Sequence, residues 1–446
     1  MSVPEELTEL ERRLSGFCSI GQAMARAPAA AAVRGWVHRS RSSNKVAFLV
    51  VRDASDIIQC VVKQESHPEL FELAKDLPIE SSVMLSGPVR EEKRAPSGYE
   101  MSVEQLVVVH RADVFPIAKD QSPEFLLDQR HLWLRSRKLV AVLRVRHTVL
   151  GAMHRFFRER DFHEFSPPIF TPNACEGGAT LFKVKYFDDT VYLTQSWQLY
   201  AEAAIFALER IYCVSPTFRA EQSKTSRHLA EFWMHEMESA WLDLDGCAGI
   251  AKEELRFIVR EVLEKNRKDL DVLGRDVARL RPAAEKDIPT ITYTEALRLL
   301  REAGMDVEWG KDLRTVEEEK LMERFDTPVV VTEYPKEAMA FYKPVKKDGA
   351  APGPVALCFD ILAPEGYGEI VGGSQRDLDI EALKQHLQQE GEKPETYEWY
   401  FDTRRYGSVP HAGYGMGVER VIAWLCGLDN IKDAIPFPRT MLRSRP

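Results

Sequence analysis

Residues Phe218–Glu238 read FRAEQSKTSRHLAEFWMHEME. Arg219 and Glu221 stand two apart, so on a strand they would share one face. A polar stretch with Lys224 and Arg227 follows, then His228 and Phe232. An arginine presents a planar fork of donors to phosphate oxygens, and an aromatic ring presents a face to a purine. Seen singly, an Arg-x-Glu pair reads as a surface ion pair and one Phe as core. A second segment shifts that balance. Gly413–Arg420, GYGMGVER, runs glycines into a helix at Val418 and puts Arg420 in its first turn. Glycines there let backbone and ligand approach closely, the bland alternative being a Gly-rich turn before a helix. Arg420 then reaches a polyphosphate or stacks on a base. Together the two segments point to an ATP-handling site. The chain has no GxxxxGK[ST] and no strand-linked GxGxxG, so the common nucleotide folds lack support.

The chain has 446 residues, enough for two or three domains. Hydrophobic residues make up 44% and charged residues 29%, the balance of a soluble globular protein. No apolar run approaches the roughly 18–20 residues that span a bilayer, so no membrane partner is expected. The N-terminus, MSVPEELTELERRL, alternates acids with apolar residues and lacks a signal-peptide layout. A cytoplasmic enzyme is the expectation. The seven cysteines are scattered and never spaced CxxC, against both a disulfide framework and structural zinc. The net charge of -9 is an average, and it leaves a basic stretch of Arg34, Arg39, Arg41, Lys45 and Arg52 with no acid before Asp53. Such a face suits phosphates.

Short strands are expected at Val33–Val37, Val46–Val51, Ile57–Val62, Ser82–Val89 and Met101–Val109. Five closely spaced strands suggest a small β-barrel, with an OB-fold the natural candidate. A connector rich in charge and proline follows. Apolar residues from Leu139 to Phe157 then recur at helical spacing, which predicts an amphipathic helix over Arg137–Arg160. Successive prolines, Pro167 and Pro168, demand an extended chain beyond it. The expected organisation is α+β: an extension over residues 1–27, a barrel over 28–112, a connector over 113–135, and a second domain over 136–446 with a helical insertion at about 245–325.

These segments resemble motifs 2 and 3 of the class II aminoacyl-tRNA synthetases, in the form of the aspartyl/asparaginyl branch. The resemblance runs over almost the whole chain and is nearest the asparaginyl enzymes. It implies an OB-fold anticodon-binding domain followed by a six-stranded antiparallel catalytic sheet flanked by helices. It further implies that Arg219 holds the α-phosphate, that Glu221 accepts from the adenine amino group, that Phe232 and Arg420 sandwich the ring, and that His228 contacts the γ-phosphate. Pro168 matches the motif 1 proline of the homodimer interface. Asp360 and Glu369 correspond to ligands of Mg²⁺, whose preference is for hard oxygens. Gly372 stands where some relatives carry a serine ligand.

For the amino acid, Glu176-Gly177-Gly178-Ala179 resembles the loop that closes over the substrate, with Glu176 near its α-ammonium. Gln195–Tyr200 resembles the family's QSPQ segment, with Gln198 facing the same ammonium. Aspartyl enzymes carry a lysine where Ala201 stands here. Beside it, Glu202 would repel aspartate and accept from an asparagine amide, with Arg376 donating to the amide oxygen; rejection by like charge discriminates strongly. Trp197 stands where the family carries a smaller residue, and no local pattern explains it. In the barrel, Phe48 and Gln59 align with residues that stack on and pair with the central anticodon base, with Arg39 and Arg41 on the backbone. The expected activity is ATP-dependent attachment of asparagine to tRNA(Asn) through asparaginyl adenylate. Ala201 and Glu202 speak against an aspartyl enzyme. Intact Arg219, His228 and Arg420 speak against a non-catalytic relative that only binds RNA, and the barrel against an amide-forming one.

Overall fold

The computed structural model describes residues 16–177, 180–222, 227–346 and 351–446. Lys224, Gly178 and Ala179 lie outside the described residues. The chain divides into two compact units at residue 123.

In the first unit, β1 (Ala29–Ser42), β2 (Val46–Arg52), β3 (Ile57–Lys63), β4 (Ser82–Glu91), β5 (Tyr99–Ser102) and β6 (Gln105–His110) form one sheet, with a helix α1 (Pro68–Lys75) between β3 and β4. The order β1-β2-β3-β5-β4 closes into a five-stranded barrel because β4 also pairs with β1. Alternation drives it: Val33 and Val37 of β1 point inward with Leu49, Val51, Ile58 and Val62, while Arg34 and Trp36 point outward. The expected last strand is split in two. At the break the chain passes so close to Gly87 that a Cβ there would lie 1.9 Å from the Ser102 carbonyl oxygen.

The second unit is built on an eight-stranded sheet. Its members are β7 (His163–Glu164), β11 (Arg210–Phe218), β12 (Glu231–Ala240), β13 (Thr290–Thr292), β14 (Val329–Thr332), β15 (Cys358–Ala363), β16 (Gly368–Gln375) and β17 (His411–Gly417), in the order β13-β14-β15-β16-β17-β12-β11-β7. The six central strands are antiparallel, as expected, and each edge adds a short parallel strand. A small sheet, β8 (Phe170–Thr171), β10 (Asp189–Leu193) and β9 (Lys183–Tyr186), stands apart.

Helices cover one face of the large sheet. The expected amphipathic helix is α2 (Arg137–Arg158), capped by Ser136, whose Oγ accepts from the Leu139 amide at 3.3 Å. Its apolar stripe packs with α4 (Leu244–Lys265), the first helix of the insertion, and with α6 (Val418–Cys426) against β12, β16 and β17. The opposite face carries α3 (Gln198–Leu208) and α5 (Glu398–Arg405) toward one end. The connector divides: from residue 124 it belongs to the second unit, where buried Arg130 donates to the carbonyls of Lys432, Ile435 and Pro436 and pairs with Asp433.

Candidate active site

Strand β12 lays the floor. Period-two alternation turns Phe232, Met234, Glu236 and Glu238 to one face and His235 and Met237 to the helix-covered core. Beside it, Gly413 and Gly415 of β17 oppose Glu238 and Glu236. The glycine run is therefore a central strand, and the bland alternative of a Gly-rich turn falls away. Its glycines make room for neighbouring side chains: a Cβ on Gly413 would sit 2.1 Å from Glu238 Oε2, and one on Gly415 2.5 Å from Met234 Cε. Arg219 and Glu221 also depart from expectation, lying just past the end of β11 and not on a strand face. The Arg219 amide still donates to Ala230 at 3.0 Å, closing the hairpin behind them.

One pocket gathers Arg219, Glu221, His228, Phe232, Glu369 and Arg420. The Arg219 guanidinium lies 5.5 Å from the Phe232 ring centroid, and its Nε has no hydrogen-bond partner among the described residues. His228 Nε2 stands 3.4 Å from Glu221 Oε2; burial lowers its pKa, so the imidazole is neutral at pH 7. Arg420 donates to Glu369 at both its carbonyl, 2.8 Å, and Oε2, 3.0 Å.

An adjoining cavity of about 270 Å³ shares Arg219, Met234, Glu369 and Gly415 with that pocket. Glu176, Gln198, Glu236, Asp360 and Arg376 also line it. Tyr342 donates to Glu176 Oε1 at 2.8 Å. Gln195 ties down the start of the loop: its Oε1 accepts from the amides of Cys175 and Glu176, and its Nε2 donates to Gly177 O at 2.9 Å. Arg376 grips Glu238 with two hydrogen bonds of 2.9 and 2.7 Å and donates to Ser374 at 2.8 Å.

Glu202 lies one layer behind the cavity and does not line it. Fully buried, it accepts from Gln198 Nε2 at 2.9 Å, Tyr400 OH at 2.8 Å and the Arg404 guanidinium, with His411 Nε2 at 3.1 Å. Burial works against its charge, yet Arg404, His411 and Arg376 hold its pKa well below the usual carboxylate range. The hub arises because α5 delivers Arg404 and β17 delivers His411 to a carboxylate that α3 turns inward. Glu236 is the residue that sequence reasoning missed. Its Oε2 accepts from Ser196 at 2.8 Å, while its buried Oε1 has no hydrogen-bond partner among the described residues. Burial, with Glu176 nearby, pushes its pKa up to about 8. The signal was present in the alternation of Phe232, Met234 and Glu236. Trp197 is fully buried in a satellite core with Ile205 and Ile211, which gives it a packing role.

Asp360 and Glu369 face one another's space across β15 and β16. A Cβ on Gly372 would lie 3.1 Å from Glu369 Oε1 and 3.4 Å from Asp360 Oδ1. Two converging hard oxygens fit Mg²⁺. Burial and the neighbouring Glu369 push the Asp360 pKa well up, the response of carboxyls that a cation would relieve.

In the barrel unit, Arg41 opposes Phe48 in the β1–β2 register, its guanidinium 4.6 Å from the ring centroid. Arg39 is exposed beside them. Gln59 is 6% exposed and donates to Glu100 at 2.8 Å. Pro168 is exposed, next to Ile169 and Phe170, which are also exposed.

An antiparallel sheet bearing an Arg- and Phe-lined pocket beside a polar cavity that shares its border residues fits an adenylate-forming ligase. Residues 122–441 match the family model of class II tRNA synthetases (D, K and N), and residues 31–109 that of the OB-fold nucleic acid binding domain. The asparagine–tRNA ligase of Desulforamulus reducens is 46% identical over 416 residues, 93% of this chain and 96% of that protein. That of Thermococcus gammatolerans is 46% identical over 412 residues, covering 92% and 95%. The crystal structure of asparaginyl-tRNA synthetase from Pyrococcus horikoshii complexed with asparaginyl-adenylate superposes with a TM-score of 0.91 at 44% identity, covering 97% of this chain and 100% of that one. The chain belongs to the class II tRNA synthetases, in their asparagine–tRNA ligase family.

Proposed function

We propose that this chain attaches asparagine to tRNA(Asn) in two steps. An asparagine carboxylate oxygen attacks the α-phosphorus of ATP, the bond to the bridging oxygen breaks, and pyrophosphate leaves. The terminal ribose hydroxyl of the tRNA then attacks the acyl carbon and AMP departs. The observation that carries this reading is the shared border of the two cavities. Arg219 and Glu369 line both, so an α-phosphate and an amino-acid carboxylate would meet there. Positioning and charge neutralisation then supply the catalysis, and no protein nucleophile is required.

On this reading Arg219 holds the α-phosphate, a role supported by its Nε, which has no hydrogen-bond partner among the described residues. Phe232 and Arg420 take the two faces of adenine, Glu221 accepts its amino group, and His228 donates to the γ-phosphate. Mg²⁺ held by Asp360 and Glu369 neutralises phosphate charge when bound. Glu176 and Gln198 take the α-ammonium; Gln198 already donates Nε2 to Glu202, which turns its carbonyl oxygen toward the cavity. Arg376 meets the side-chain carbonyl of asparagine, and the orphan Oε1 of Glu236 accepts its amide N–H. A side-chain carboxylate there would find no lysine to neutralise it, since Ala201 is buried and neutral. Glu202 thus acts through Gln198 and Arg376.

For tRNA, we place anticodon recognition on Arg39, Arg41, Phe48 and Gln59, with the barrel at residues 28–112, a connector at 113–135, and the catalytic domain at 136–446. Gln59 would have to exchange Glu100 for a base. A homodimer is supported by Pro168 and the exposed Ile169, Phe170, Tyr186 and Phe187 around the small sheet. No helix among the described residues is long and apolar enough to cross a membrane, and we place the protein in the cytoplasm. The deciding experiment is ATP–pyrophosphate exchange with asparagine and aspartate assayed side by side. Exchange with asparagine alone is expected; exchange with aspartate would overturn the amide-reading roles of Glu236 and Arg376.

A further inference from the structure

An arginine that reads an amide carries a difficulty. Its guanidinium is always charged, so left to itself it favours a carboxylate over an uncharged carbonyl. Three neighbouring strands answer this at Arg376. Glu238 of β12 and Ser374 of β16 both stand opposite Gly413 of β17, one on each side. Arg376, just past the end of β16, spans that row. Its Nε and Nη2 donate to the two oxygens of Glu238 at 2.9 and 2.7 Å, and its Nη1 donates to Ser374 Oγ at 2.8 Å. Gly413 leaves the room for this bridge, since a Cβ there would lie 2.1 Å from Glu238 Oε2. The Tyr342 ring, its centroid 5.2 Å from Arg376 Cζ, lies against the guanidinium.

Of the five N–H bonds of a guanidinium, three are engaged in this way, which leaves one on each terminal nitrogen. Arg376 and Ser374 line the cavity, and Glu238 stands behind them. The paired side chains of Arg376 and Glu238 are only 4% and 2% exposed, so little solvent screens the pair. Glu202 Oε1 lies 3.9 Å from Arg376 Nε, but that carboxylate is matched by Arg404 behind it. The cavity therefore meets an arginine whose charge is already balanced.

We propose that Glu238 is a positioning residue that sets the preference for asparagine over aspartate, by cancelling the charge of Arg376 while leaving two of its N–H bonds for the side-chain carbonyl. Resting on the synthetase reading, this assigns selectivity to a residue that does not touch the substrate. A side-chain carboxylate would be a second anion on one cation, buried with a net negative charge; the asparagine carbonyl brings no charge.

The test measures kcat/KM for asparagine and for aspartate in ATP–pyrophosphate exchange, with the full chain and the variants Glu238→Gln and Glu238→Asp. Glutamine keeps the shape and removes the charge. At an effective dielectric of about 20, losing a unit charge one side chain away from the substrate should narrow the asparagine:aspartate ratio about tenfold or more. The change should come chiefly from a lower KM for aspartate. Aspartate at 238 keeps the charge on a shorter arm, so Glu238→Asp should hold the wild-type ratio even where its overall rate and melting temperature fall. An unchanged ratio in Glu238→Gln would overturn the proposal. So would a ratio that falls equally in Glu238→Asp, which marks side-chain geometry and not charge. Should Glu238→Gln not fold, Glu238→Asp judges alone: a retained ratio supports the charge account and a lost one sinks it. Absence of asparagine-dependent exchange in the wild type would instead remove the synthetase reading, and this proposal with it.

Discussion

Arg219 borders both cavities, and its Nε has no hydrogen-bond partner among the described residues, which fits the proposed role at the α-phosphate. Arg219→Ala should lower pyrophosphate exchange by about 10²–10³-fold, the usual loss when one oxyanion-stabilising group is removed. Its melting temperature should stay within a degree or two of wild type, as measured by calorimetry. Glu202 presents the reverse case. Glu202→Gln leaves Arg404 and His411 around a neutral amide in a site with no water access, and breaking such a buried pair costs about 3–5 kcal/mol. Urea denaturation should show that loss, and the surviving enzyme should bind asparagine more weakly because Gln198 is no longer held in one orientation. From sequence, Glu202 read as a direct contact with the substrate amide. The structure shows it satisfied by four protein groups, two of them from residues near 400 that no local pattern connects with it.

At the scale of elements, β12 was readable and β17 was not. The alternation of Phe232, Met234, Glu236 and Glu238 announces a strand with one polar, site-facing edge. The GYGMG stretch lacks side chains on that same face and so mimics a turn. What makes it a strand is the pairing with β16 on one side and β12 on the other, through backbone groups that glycine shares with every residue. Gly413→Ala tests this directly, because the added methyl group would lie 2.3 Å from the Met237 carbonyl oxygen as well as against Glu238. Neither the backbone nor the paired carboxylate can retreat easily. Destabilisation of about 1–3 kcal/mol or more is expected from such overpacking, read as a lower denaturation midpoint with unchanged slope. The barrel strands were legible from their alternation, apart from the break between β5 and β6, which depends on Gly87 across the sheet.

For the whole molecule, the insertion is tied to the site through the core. Tyr414 of β17 donates to Glu254 of α4 at 2.5 Å, and His235 Nδ1 stands 3.2 Å from the other Glu254 oxygen. Burial pushes Glu254 up to about 8 and His235 down to about 3, so the pair is neutral at pH 7 with the proton on Glu254. The unfolded carboxyl titrates near 4.5. Between that value and about 8 the native state holds a proton that the unfolded chain has released, so stability falls as pH rises through this window. Melting temperatures from pH 5.5 to 8.5 should therefore decline more steeply in the wild type than in Glu254→Gln, whose amide still accepts from Tyr414. Equal slopes would place the proton elsewhere.

The sequence by itself determined what depends on local pattern and on residue chemistry. That includes the barrel strands, the long helix α2, the arginines and carboxylates that the structure gathers around one pocket, and the resemblance that the family matches bear out. Tertiary structure alone decided which carboxylates face the cavity and which are consumed behind it. Glu236 and Glu202 are the same residue type, and each is separated by many residues from the groups that set its charge. One keeps an orphan oxygen and a raised pKa; the other is ion-paired and held ionised. Burial and charge partners act through space, across α3, α5, β12 and β17, so no reading along the chain can assign them.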